Sequence, residues 1–509
     1  MSQDDSKPPL KTPNEVELGN GQVTVSGISS MSMKRKFSIL SIISVGYNIS
    51  NSWVAIAASY AIALQLGGTV TLLYGIIAVT IAMLCTGLTL AELASVYPTA
   101  GGQYHFTSIL APSKWSRGLS YFSGLAAVFA WITLVASICI STTQMLMAII
   151  IRWSPNYEPQ TWHYFLVYQG FNALMVLYNI FLTNKTLWVY NFGFILSIST
   201  FTTITIACPA RSSTNDSSWD IWTKFVNGSN GWPDGISFLT GLTTPQFMLS
   251  GLDATLHLAE ECLEPERIVP RAVLATVSVG FATAFPFAIG VIYSSSDAQA
   301  ALKSATQFPI YIIWEQATRS PAAGTAFMSA LFVVSCVALN AVHQTASRLT
   351  WSFARDEALF FSNRLEVIHH SLGVPVLSLL LNWFLVLLVG IVYVCSSTAF
   401  NAFISTTVIV AQISYAVPAL ILICRRRPSE FLPPTRPLKL PNFIGYFANG
   451  ICVSWAVILT VFFTFPTEFP VTGGNMNYAA PVLAIMVLLG VANWFLYARR
   501  WYHGPRLEL

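Results

Sequence analysis

From residue 37 onward the chain alternates long apolar runs with short polar connections. Twelve runs stand out, near 37–64, 69–96, 118–151, 163–183, 187–208, 235–262, 270–294, 322–350, 374–395, 398–424, 443–465 and 478–500. A helix needs about 20 mostly apolar residues to cross roughly 30 Å of hydrocarbon, so each run is predicted to be a membrane-spanning helix. The third, sixth and eighth exceed that minimum and are expected to tilt, break or project beyond the lipid.

Two runs are interrupted. In the first, Ile39–Val45 gives way to Gly46-Tyr47-Asn48-Ile49-Ser50-Asn51-Ser52-Trp53 before apolar residues resume at Val54. In the sixth, Phe247-Met248-Leu249 leads into Ser250-Gly251-Leu252-Asp253-Ala254-Thr255. Polar groups in mid-span are costly unless they face a cavity or a partner. Gly251 permits a break, and Asp253 is expected to cap the restarted half-helix. Interruptions opening spans one and six fall at matching positions of two five-helix repeats. An unwound stretch there offers N–H groups to a carboxylate, expected at Gly46–Asn48, and C=O groups to an ammonium.

Composition agrees that the solvent is lipid. The chain is 54% hydrophobic and 9% charged, with a mean hydropathy of +0.60. A soluble chain carries about a quarter charged residues. The net charge of +4 matters less than its placement. With the N-terminus inside, 21 of the 26 Lys and Arg fall in inside loops and ends, so both termini are expected to be cytoplasmic. Residues 1–36 are polar and lack a secretory apolar run, which predicts a disordered cytoplasmic tail. Residues 37–424 form the expected ten-helix core, and 425–509 two peripheral helices with a short cytoplasmic C-terminus. The 209–234 loop is then external and holds Asn215 and Asn227 in glycosylation tripeptides. The eight cysteines lie in or beside apolar runs, so neither a disulfide framework nor a metal site is expected.

Polar residues inside the spans are the candidates for function. Asp253, His257 and Glu261 share one helix face, a row able to carry protons, or else a cap, a pore-lining imidazole and a cytoplasmic carboxylate paired with Arg267 or Arg271. Glu92, near the end of the second span, either braces the Pro98–Gly102 turn or takes part in coupling. Asn340, His343, Gln344 and Ser347 form a stripe on span eight, and Thr406, Thr407 and Gln412 lie on span ten. Trp53, Tyr47, Phe247 and Trp131 are candidates for an aromatic cage around a quaternary ammonium. No nucleotide loop, zincin motif or nucleophile elbow is present, which argues against an enzyme, and nothing suggests a cofactor or a nucleic-acid partner.

Two further stretches carry a resemblance. Ala91-Glu92-Leu93-Ala94-Ser95-Val96-Tyr97-Pro98-Thr99-Ala100-Gly101-Gly102-Gln103-Tyr104 ends span two, and Glu260-Glu261-Cys262-Leu263-Glu264-Pro265-Glu266-Arg267-Ile268-Val269-Pro270-Arg271-Ala272 follows span six. Together they resemble the signatures of the amino acid–polyamine–organocation superfamily. Asn51-Ser52-Trp53 and Gly102-Gln103-Tyr104-His105 are most similar to fungal GABA and choline permeases. The resemblance implies two inverted five-helix repeats plus two peripheral helices, working by alternating access. It places the substrate site at Gly46, Tyr47, Asn48, Ser50, Asn51, Ser250, Gly251 and Asp253, with coupling candidates Asp253, His257 and Glu92. It implies import of a small zwitterionic or cationic amine across the plasma or vacuolar membrane, GABA first and choline second, with a proton as co-substrate. A non-transporting sensor of the same fold is the remaining alternative. The chain departs from the pattern in having a lone Gly46 for the family's Gly-x-Gly, and no lysine inside span five.

Overall fold

The computed structural model describes residues 35–154, 156–212, 218–304, 306, 308–395, 397–473 and 475–506. The fold is all-α. The first half comprises α1 (Ile39–Ser50), α2 (Ser52–Gln65), α3 (Gly68–Ala94), α4 (Gln103–Leu110), α5 (Ser113–Trp153), α6 (Thr161–Phe181), α7 (Trp188–Arg211) and α8 (Ser218–Thr223). Next come α9 (Asp234–Gly241), α10 (Thr243–Phe247), α11 (Ala254–His257), α12 (Pro265–Ile292), α13 (Ala298–Leu302) and α14 (Pro309–Thr318). The chain ends with α15 (Pro321–Arg355), α16 (Ser362–Leu365), α17 (Val376–Cys395), α18 (Ser397–Cys424), α19 (Asn442–Phe462) and α20 (Ala479–Asn493). Two residue pairs, Leu66–Gly67 and Val226–Asn227, make a small antiparallel ribbon.

Among the described residues, 11 helical segments are long and apolar enough to span a bilayer, and they follow the expected runs to within a few residues. The twelfth expected span, 235–262, is the exception. It is divided among α9, α10, α11 and a terminal 3-10 turn, each too short to count. A break dense enough to interrupt the backbone also removes the segment from any count of continuous spans.

Burial separates an inner from an outer ring. In the most apolar window of α5, 89% of residues are buried, against 17% in the last span, Ala479–Trp501. The outer helices expose large apolar side chains, such as Leu488 and Leu489 on α20 and Ile195 and Ile206 on α7. With no water at that depth, these faces suit lipid tails.

Both described ends lie on one face, here the terminal face. The N–H groups of Lys36 and Phe37 donate to the Glu261 carbonyl at 2.8 and 3.0 Å. At the other end, the Arg506 N–H donates to Asp356 Oδ1 at 3.0 Å, and the Arg117 guanidinium holds carbonyls of Ala498, Arg499 and Tyr502. Residues 1–34 of the expected tail, and Asn215, lie outside the described residues. Asn227 sits in the ribbon on the far face, its amide donating to Trp232 O and Asp234 Oδ1.

Candidate functional site

The first break is one residue long. Asn51 adopts the left-handed conformation at φ 30°, its N–H closing onto Tyr47 O as the cap of α1, and α2 begins at Ser52. Asparagine is among the few non-glycine residues that enter this region readily. The break therefore falls within the interrupted Gly46–Trp53 stretch, toward its end. Gly46, Tyr47 and Asn48 are helical, so the free N–H cradle expected at Gly46–Asn48 is not formed. Gly46 serves close packing instead: a Cβ there would lie 2.7 Å from Thr276 Oγ1 of α12. Asn48 turns to α7, donating to Tyr190 O at 2.7 Å, and the Tyr47 hydroxyl meets Ser197 Oγ.

The second break is wider. Helix α10 ends at Phe247 and α11 starts at Ala254, with Gly251 at φ +75° between them. A Cβ at Gly251 would come within 2.7 Å of Ile49, so both conformation and space demand glycine here. Two hydroxyls stitch the breaks together: Ser50 Oγ donates to Ser250 O at 3.2 Å, and Ser52 Oγ donates to Met248 O at 2.7 Å.

Between the breaks lies a cavity of about 40 Å³. Its polar lining is Ser50, Asn51, Ser141, Ser250 and Ser335, and the rest is apolar, including Val54, Leu134, Met145 and Phe247. No charged side chain lines it. Asn51 Nδ2 and Ser250 Oγ are buried without a hydrogen-bond partner. The lining positions on α5, Leu134, Ile138, Ser141 and Met145, climb turn by turn from Trp131 toward the far face. The cavity thus sits on the far side of Asp253.

Asp253 does not cap α11 through its side chain, as the sequence suggested, and does not line the cavity. It is a hub. Its Oδ1 accepts from the Tyr415 hydroxyl at 2.7 Å. Its Oδ2 accepts Gln103 Nε2 at 2.6 Å and Trp131 Nε1 at 3.1 Å, and faces His257 Nε2 at 2.8 Å. The carboxylate so joins the restarted half of span six to α4, α5 and α18. A buried carboxylate is tolerated when its lone pairs are filled by donors, and here they are. Gln103 and Tyr415 were not singled out as site residues from sequence. The Gly101-Gly102-Gln103 motif was legible as a motif, but its reach to Asp253 is a tertiary fact.

A second layer lies between Asp253 and the terminal face. Glu261 pairs with Arg348 of α15 at 2.8 Å, rather than with Arg267 or Arg271. Glu260 accepts a two-pronged bond from Arg355 at 2.9 and 3.0 Å and a third from the Ala100 N–H. The Tyr104 hydroxyl donates to Asp356 at 2.7 Å. Burial pushes the Asp356 carboxyl up to about 6, with Arg355 only partly opposing it.

The remaining candidates sit apart from the cavity. Trp53 donates to Ser197 Oγ at 2.9 Å and packs against Phe287, and Trp131 is spent on Asp253, so only Phe247 of the four aromatics lines the cavity and the cage is not assembled. Asn340 bonds Asn179, and Gln344 accepts from Tyr190. His343 is buried with both ring nitrogens unpartnered. Thr406 bonds back to Ala402 O, and Gln412 donates to Thr86. Glu92 is clamped by Arg427 and Arg436, bracing α3 against the link between α18 and α19.

Among the described residues, eleven spans and a broken twelfth segment, opposed to a matching break in span one around a small cavity, have the build of an all-α membrane transporter. The model of the family described as amino acid permease matches residues 29–489, and the chain belongs to that family, within the amino acid–polyamine–organocation superfamily. It is similar to the choline transporter of Saccharomyces cerevisiae, with 32% identity over 95% of this chain and 85% of that protein. It is also similar to the swainsonine transporter of Arthroderma benhamiae, 28% identical over 95% of each chain. An amino-acid permease of Arabidopsis thaliana is 25% identical over 96% of each.

Proposed function

We propose that the protein is a proton-coupled permease of the plasma membrane that imports a small organic cation of the choline type by alternating access. The observation that carries this reading is the uncharged, largely apolar cavity between the two breaks. A trimethylammonium head presents methyl groups to its surroundings and takes its stabilisation from diffuse negative potential. The C-terminal ends of α1 and α10 and the ring of Phe247 supply that potential. Asn51 Nδ2 and Ser250 Oγ are free to meet a hydroxyl. The choline transporter among the relatives supports the same order.

A second reading, an amino acid such as GABA, is favoured by the start of α2. Its first helical bond runs from Ala55 N–H to Asn51 O, so the amides before it are open to a carboxylate. Choline comes first because the cradle expected at Gly46–Asn48 is wound into α1. A cavity of about 40 Å³ holds a few waters at most and neither solute, so the walls must part on binding. The bias of 21 against 5 basic residues supports a cytoplasmic terminal face.

The test is uptake of labelled choline by the purified chain in proteoliposomes, with GABA as competitor. Choline should accumulate under an inward pH gradient and resist a large excess of GABA. If GABA accumulates and choline neither accumulates nor competes, the second reading replaces the first. If neither solute crosses, both substrate readings fall.

A further inference from the structure

We infer that the coupling proton resides on His257, outside the substrate cavity, and that it holds the cytoplasmic gate shut by bonding α11 to the turn that precedes α4. This rests on the proton-coupled reading above and adds where the proton sits and which step it controls.

A neutral imidazole has one donor nitrogen and one acceptor nitrogen. Both nitrogens of His257 face acceptors: Nδ1 lies 2.8 Å from the Ala100 carbonyl oxygen and Nε2 lies 2.8 Å from Asp253 Oδ2. A neutral ring would set a lone pair against one of those oxygens. Shifting the proton to Asp253 fits the surroundings poorly. Oδ2 already receives the N–H groups of Gln103 and Trp131, and Oδ1 receives the Tyr415 hydroxyl, which is the environment of an ionised carboxylate. An imidazolium satisfies every neighbour, donating from Nδ1 to Ala100 and from Nε2 to Asp253.

The ring has no room to turn away from this choice. A Cβ at Gly102, whose φ is +53°, would lie 3.2 Å from His257 Cε1, and Trp131 stands edge-on at 5.7 Å. The titratable and charged groups around it are few. Asp253 shares its segment, Tyr415 comes from α18, and His105 belongs to α4. Burial, aided by Arg355, pushes His105 down to about 4, so it stays neutral near pH 7. Further along, Glu261 is paired with Arg348 and Glu260 with Arg355. Asp253 is therefore the charge His257 answers.

The position gives the proton a mechanical role. Ala100 belongs to the turn leading into α4, and its N–H is held by Glu260, so the ring and the second layer grip the same turn. With the proton bound, α11 is tied to that turn and the path from the cavity to the cytoplasm is closed. Losing it breaks one of the two ring contacts and loosens the gate. A proton taken up while the cavity faces outward keeps the inner side closed, and its loss from the ring toward the cytoplasm, after solute has arrived, is the step that frees the gate.

Hydrogen–deuterium exchange of the full chain in nanodiscs, at about pH 5.5 and about pH 8 and corrected for intrinsic rates, tests this without reference to the solute. The amides of 254–262, which do not bond Asp356, should exchange at least about fivefold faster at the higher pH, and His257→Gln should remove the difference. Equal protection of the wild-type segment at both pH values overturns the inference, as does a full pH difference in His257→Gln. Should that variant not fold, Asp253→Asn serves: without the carboxylate nothing holds a second proton on the ring, so protection should be independent of pH, and a retained pH difference refutes the assignment. Uptake that ignores a pH gradient overturns the coupled reading itself, whereas gradient-driven uptake with pH-independent exchange sinks only the assignment to His257.

Discussion

The two sides of the paired breaks are built differently. Toward the terminal face, Asp253 gathers partners from three other elements, and Glu261–Arg348 and Glu260–Arg355 follow in a second layer. Toward the far face the cavity is walled by aliphatic side chains, Phe247 and a few hydroxyls, and an ion pair on that side, Arg152–Glu315, is peripheral and partly exposed. A buried charge without its partner is expensive, so the terminal side opens only if whole sets of bonds are exchanged together. Apolar walls slide at little electrostatic cost. The asymmetry suits a state closed on the terminal side and ready to admit solute from the other.

The sharpest way to break the comparison is Asp253→Asn. It should reduce uptake to background while the protein still reaches the membrane, measured as labelled solute accumulated per unit of surface protein. Normal transport would mean that the hub is only structural. Next is Arg348→Met, which strands Glu261 in a buried site and should cost about 3–5 kcal/mol, read from thermal unfolding in detergent. Adding Glu261→Gln should recover much of that loss, because the stranded charge is gone.

A smaller effect follows from Asp356, held at about 6 by burial against an ordinary 3.8. The folded chain keeps this proton while the unfolded chain has released it, so stability falls as pH rises from about 4 to about 6 and stays lower above that. The change should be about 2–3 kcal/mol, seen as a falling Tm across that window and flattened in Asp356→Asn. The smallest effect belongs to the far side: Arg152→Gln should change stability by about 0–1 kcal/mol, since the pair is partly solvated. A loss there as large as in Arg348→Met would erase the contrast between the two sides.

Much of this was legible in the chain. Spans depend on runs of apolar residues, a local property, and their positions came out within a few residues. Gly251 marked the second break because its backbone conformation is one that other residues resist. The first break falls inside the interrupted Gly46–Trp53 stretch, but which residue of it makes the turn was not legible. The small size of Gly46 serves contact with Thr276, and Asn51 makes the turn.

Sequence alone determined which segments live in lipid, that spans one and six are interrupted, and which polar residues are too costly to be accidental there, because each follows from the transfer energies of neighbouring residues. Only the tertiary structure decided what those polar groups face. Gln103, Trp131 and Tyr415 lie 150, 122 and 162 positions from Asp253, and no periodicity links them. A buried carboxylate selects its donors by direction and distance in three dimensions, and those are set by how the helices pack.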